Sequence, residues 1–133
     1  ADSADIPVHP AFRFVACFND YGAGYFVARV DVAFLDRFAV LRLGYPPEGD
    51  EIKICRLHLD GMPAAKARMM VAVAEETRKQ GDDQNAITTR DLVLWARLAR
   101  VLGDLVQAFD LAVAAKKRES AREHLLNLLR RTS

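Results

Sequence analysis

The sequence predicts an α+β domain: a four-stranded antiparallel meander, then two or three helices on one of its faces, one of them long and amphipathic. Three observations point there. Before residue 60 the apolar residues fall in short β-branched and aromatic runs separated by Gly, Asn, Asp and Pro. After residue 63 the chain is rich in Ala, Leu, Met, Glu, Lys and Arg, the good helix formers. Between Leu92 and Val113 the apolar residues recur at alternating spacings of three and four, the signature of a helix face.

Residues 1–10 hold two prolines and no periodicity and read as a flexible lead-in to a single domain at 11–133, with its sheet at 11–60 and its helices at 63–131. Phe12 to Phe18 is short, aromatic and β-branched, and reads as the first strand. Asn19, Asp20, Gly22 and Gly24 mark a hairpin turn. Tyr25 to Val32 alternates Phe26, Ala28, Val30 and Val32 against Tyr25, Val27, Arg29 and Asp31, as a half-buried second strand does. A bend at Leu35, Asp36 and Arg37 leads to a third strand, Phe38 to Leu43. The loop at 44–49 carries Pro46 and Pro47, which cannot donate to a ladder. Glu51 to Leu59 reads as the fourth strand, with a bulge near Cys55 where the apolar parity shifts.

Pro63 opens a helix over 64–80, with Ala65, Met69, Val73 and Glu76 along one side beside Met70 and Thr77. Lys79 and Gly81 are its expected carboxyl-terminal signals. After a polar connector at 82–87, Thr88 and Asp91 stand three apart as a capping box, with Asp in place of Glu. The helix that follows holds register to about Val113. It carries two apolar series, one of Leu92, Trp95, Ala99, Leu102, Val106, Phe109 and Val113, the other of Leu94, Leu98, Val101, Leu105, Ala108 and Ala112. Ser120 and Glu123 form a second capping-box pattern ahead of Leu125, Leu126, Leu128 and Leu129. This places a break near residues 117–120, the alternative being one helix running on to about Arg130.

With 133 residues, 51% hydrophobic and 28% charged, the composition is that of a soluble globular domain. No apolar run approaches the roughly 20 residues that span a bilayer. A cytoplasmic location is the default expectation, and a periplasmic one follows if Ala1 is the product of a cleaved signal. Cys17 and Cys55 both have apolar flanks and read as small buried hydrophobes rather than a disulfide.

Chemistry finds little footing. Gly22 and Gly24 lack the third glycine and the following helix of a dinucleotide loop. Cys55 and His58 have a spacing found in some metal sites, but His9, Cys17 and His124 are scattered, and zinc needs three or four ligands. His58 and Asp60 resemble an oriented base, with no evident nucleophile beside them. Asp31, Asp36, Asp82 and Asp83 lack the ordered spacing of a calcium loop. No catalytic, cofactor-binding or metal-ligating residue is assigned, no cofactor is expected, and no motif is specific enough to name a family.

Two apolar stripes on one helix imply two packing partners. The function this favours is a non-enzymatic protein–protein interaction module, a small dimeric adaptor, regulator or chaperone-like binder. Its interface would be built from Trp95, Ala99, Leu102, Val106, Phe109, Val113, Leu125 and Leu129, as a homodimer or with another protein. Trp95 reads equally as a core anchor or an interface hot spot. Charge supplies an alternative. Residues 1–60 hold six Lys or Arg against nine Asp or Glu, and residues 61–133 hold thirteen against nine. Lys116, Lys117, Arg118, Arg122, Arg130 and Arg131 make the carboxyl-terminal segment a possible nucleic-acid contact, or a basic helix end that complements its own dipole. A further alternative is a small-molecule sensor with a cavity between sheet and long helix.

Overall fold

The computed structural model describes residues 7–18, 31–61, 63–80 and 85–132. It is all helical, 64% helix with no strand among the described residues, which corrects the predicted meander. Among the described residues six helices follow in order: α1 (Val32–Leu35), α2 (Glu48–His58), α3 (Ala64–Lys79), α4 (Thr89–Leu102), α5 (Leu105–Ala112) and α6 (Glu119–Thr132), with a 3₁₀ turn at Ala114–Lys116.

The largest correction is at Glu51 to Leu59, predicted as a strand and found as most of α2. Pro47 ends the preceding loop at the N-cap, and Glu48, Asp50 and Glu51 sit in the first turn, where the helix dipole favours carboxylates. The parity shift that reads as a bulge is the helical period itself. Ile52, Cys55 and Leu59 stand at i, i+3 and i+7, and Cys55 and Leu59 are buried. Phe12 to Phe18 and Phe38 to Leu43 lie in no ladder and are mostly exposed. A strand needs a partner to satisfy its backbone, and none is present among the described residues. The short α1 is capped by Asp31, whose carboxylate accepts from Ala33 N at 2.8 Å. It ends at the bend predicted for 35–37. The hairpin turn at 19–24, strand residues 25–30 and connector residues 82–84 lie outside the described residues.

α3 follows its predicted span, but the buried face is Ala67, Met70, Val71, Val73, Ala74 and Thr77, whereas Ala65 and Glu76 are exposed. α4 starts where the capping box predicts. Thr88 Oγ1 accepts from Asp91 N at 3.2 Å, and Thr88 N donates to Asp91 Oδ2 at 3.1 Å. The helix does not run on to Val113. Gly103 adopts φ +70°, a left-handed conformation that ends α4, and Asp104 caps α5 by accepting from Val106 N and Gln107 N. α5 then folds back on α4 as a helical hairpin. Trp95 Nε1 donates to Leu105 O at 2.8 Å, its ring lies 4.6 Å from that of Phe109, and Lys116 returns to within 3.4 Å of Asp91. α6 begins at Glu119, close to the predicted break, and lays Leu125 and Leu129 against α3, α5 and the 3₁₀ turn.

The result is one core. α2 packs on α3 and α4, α5 covers α4, and α6 closes the far side. Trp95, Phe109, Met70, Ile87 and Leu92 are its largest buried side chains, and Ala67, Ala74, Ala96, Ala99, Ala108 and Ala112 allow close helix approach. Every buried side-chain nitrogen or oxygen among the described residues has a hydrogen-bond partner. Phe109→Ala should therefore cost about 3–5 kcal/mol of unfolding free energy. Urea denaturation followed by far-UV circular dichroism measures it, and a cost under about 1 kcal/mol would contradict this packing.

Candidate functional site

The most ordered polar constellation joins the ends of three helices. Glu51, from the first turn of α2, is 1% exposed. Arg78, from the last turn of α3, meets it with two parallel hydrogen bonds, Nη1 to Oε2 at 2.7 Å and Nη2 to Oε1 at 3.1 Å. Thr89, at the start of α4, donates from Oγ1 to the same carboxylate at 2.5 Å. Arg78 Nε donates to Ile87 O at 2.8 Å, and Ile87 N donates to Thr77 Oγ1 at 3.0 Å, so the α3–α4 connection is held at both its carbonyl and its amide. The outer face of the guanidinium lies 3.7 Å from the centroid of Tyr45, in the segment that leads into α2. These groups form a structural clamp with no acid, base or nucleophile left free.

Sequence reasoning passes over this clamp, although its signal is present. On α2, Glu51 lies four residues before Cys55 on the apolar side. On α3, Arg78 extends the series Ala67, Val71 and Ala74. A carboxylate and an arginine, each on the buried face of its own helix, are expected to pair.

The predicted interface residues divide. Trp95, Ala99, Phe109, Val113, Leu125 and Leu129 are buried within the single chain, while Leu102 and Val106 are exposed. The basic segment divides as well. Arg122 makes a two-pronged pair with Asp110, Nε to Oδ1 at 2.8 Å and Nη2 to Oδ2 at 2.7 Å, and lies near Glu119. That pairing holds the Asp110 carboxyl below its ordinary range and raises the already high pKa of Arg122. Lys116 pairs with Asp91, Lys117 is half-buried, Arg130 donates to Asn127 at 3.3 Å, and Arg118 and Arg131 are exposed. The six cations are thus not gathered into one open patch.

Cys55 is buried, and burial, reinforced by the Glu51 charge, pushes its thiol up to about 11. Cys17, predicted as buried, is exposed. No group of three or more His, Cys, Asp and Glu side chains is placed to hold a metal among the described residues. No helix among them is long and apolar enough to cross a membrane. A small open cleft of about 210 Å³ lies between α3 and α6, lined by Thr77, Gln80, Asn85, Ser120, His124 and Leu125 among others. That is below the roughly 300 Å³ at which ligand pockets begin. With no sheet in the helical body, the predicted cavity between sheet and long helix has no counterpart.

Two measurements check this site. Glu51→Ala leaves the largely covered Arg78 guanidinium without its carboxylate partner and should cost about 3 kcal/mol of stability, read from a denaturant midpoint; an unchanged midpoint would mean that the clamp is not structural. A thiol reagent applied to the native protein should modify Cys17 and spare Cys55, since a protonated buried thiol is a poor nucleophile. Equal labelling of both would contradict the burial of Cys55.

With this geometry established, comparison with known proteins is informative. Aerobic cobaltochelatase subunit CobS of a Sinorhizobium species is 32% identical over 115 residues, covering 76% of this chain and 35% of CobS. The chain therefore spans about a third of the length of that relative. No solved structure matches it. Residues 51–128 match the family model described as CbbQ/NirQ/NorQ C-terminal. The match begins at the buried Glu51 and takes in Arg78, Thr89, the Trp95–Phe109 core and the buried Leu125 of α6. This chain, with most of its helical body inside that match, belongs to the CbbQ/NirQ/NorQ C-terminal family.

Proposed function

We propose that this protein is the protein-contacting part of an AAA+ ATPase-associated assembly, with the helices from Glu48 onward as its body and residues 7–18 and 31–47 as the contact surface. Family membership and the CobS likeness support the ATPase association. The observation that carries the contact role is the contrast between two parts of the chain. The helical body buries its largest apolar side chains, Trp95, Phe109, Met70, Ile87 and Leu92, and leaves a minority such as Leu57 and Val101 open, whereas Val15 is 82%, Leu41 79% and Leu43 85% exposed, with Phe12, Phe14 and Phe18 more than half exposed. So many uncovered aliphatic and aromatic side chains in one stretch mark a surface that another protein covers.

The Tyr45–Arg78 contact gives that segment a fixed point of departure, because it ties the residues just before α2 to the buried clamp. On this reading a contact made through residues 7–18 and 31–44 is transmitted to the ends of α2, α3 and α4 rather than to a loose tether. The long-helix dimer of the sequence reading retains only Leu102 and Val106 as available contacts.

Full-length CobS is a ready test partner. Mixed with it, the chain should co-migrate in gel filtration with light scattering. A Phe14→Ser, Leu41→Ser, Leu43→Ser variant should migrate alone while keeping its helical circular dichroism. An intact chain that stays at 14.8 kDa beside CobS would overturn the proposal.

A further inference from the structure

The outward face of α4 carries a pattern that neither the core nor the proposed contact segment uses. Leu92, Trp95, Ala96 and Ala99 turn inward and are buried. Leu94, Arg97 and Val101, at i, i+3 and i+7, share the opposite face, with Arg100 beside them. Val101 is 77% exposed, and Leu94 and both arginines are also exposed. Leu102, the last residue of α4, and Val106, in the first turn of α5 past Gly103, are exposed as well. The single carboxylate of α4, Asp91, serves the capping box and Lys116 at the helix start. No ion pair among the described residues engages Arg97 or Arg100, whereas Arg78 and Arg122 are both paired.

We propose that this face of α4 docks an acidic amphipathic segment of a partner protein, its carboxylates meeting Arg97 and Arg100 and its apolar side chains covering Leu94, Val101, Leu102 and Val106. Charge complementarity selects this occupant. A second copy meeting the first across a two-fold axis would set this arginine cluster against its own image, and like charges oppose that contact. A nucleic-acid backbone would satisfy the arginines but offers nothing apolar for Val101 and Leu94. A protein segment with carboxylates flanking leucines satisfies both, in the manner of a helix laid on a helix face. The proposal rests on the protein-contacting role argued above, but it concerns a different surface.

The test uses the intact chain and a fluorescent synthetic peptide with leucines at helical spacing flanked by glutamates. Anisotropy titration should show saturable binding that weakens with salt. An Arg97→Glu, Arg100→Glu variant should weaken it about tenfold or more, and Val101→Asp should weaken it as well. Helical circular dichroism of both variants should be unchanged, since none of the substituted side chains is buried. Absent binding, equal affinity of the charge-reversed chain, or tighter binding of a short DNA duplex than of the peptide would each overturn the proposal. CobS takes no part in this measurement. Loss of co-migration through residues 7–18 and 31–47 and loss of peptide binding at α4 are therefore separate failures.

Discussion

A carboxylate as deeply buried as Glu51 is tolerable only because Arg78 and Thr89 deliver three hydrogen bonds to it, and the rest of the molecule is arranged around that requirement. Each of the three residues stands at a helix end, so satisfying one charge sets the relative positions of α2, α3 and α4. Arg78 also holds the Ile87 carbonyl, and Thr77 holds the Ile87 amide. The connection from α3 to α4 is thereby pinned before the α4–α5 hairpin begins. A wholly apolar contact at this place would tolerate sliding, whereas a two-pronged guanidinium–carboxylate pair fixes distance and angle together.

The hairpin builds on that fixed start. Trp95 is both the largest apolar side chain of the core and a hydrogen-bond donor to the first carbonyl of α5. It joins the two helices by packing and by direction. α6 then covers the remaining flank with Leu125 and Leu129, while the Asp110–Arg122 pair ties it to α5 near the surface. Such an exposed pair adds little stability by itself but favours one orientation of the last helix. The outcome is a closed helical body beside which residues 7–18 and 31–47 lie largely uncovered, with Tyr45 held against Arg78. A closed helical body with Tyr45 held at its edge and a cationic–apolar face on α4 is what the proposed contact role would use.

Where local chemistry decides structure, the sequence was readable. The Thr88–Asp91 capping box, the helix-forming run from Ala64 to Lys79 and the break ahead of α6 all rest on residues within a few positions of one another. The fold class was misread because Glu51 to Leu59 has a pattern that two periods fit. Ile52 and Ile54 alternate as in a strand, while Ile52, Cys55 and Leu59 repeat as in a helix. The apolar pattern alone does not separate the two, although the carboxylates at Glu48, Asp50 and Glu51 favour a helix start. The decision came from α3 and α4, which offer Cys55 and Leu59 a helical groove and Glu51 its arginine. The apolar alternation at 12–18 and 38–43 misled in the opposite sense, because alternation becomes a strand only beside a pairing partner.

By itself, then, the sequence determined the starts of α3, α4 and α6 and the apolar content of residues 89–113, consequences of short-range backbone and capping energetics. Tertiary structure decided that α2 is a helix and that Trp95 and Phe109 face each other inside a single chain. Each of these depends on which distant surface covers a given side chain. Burial energy is set by that surface and outweighs the small local preferences a sequence displays.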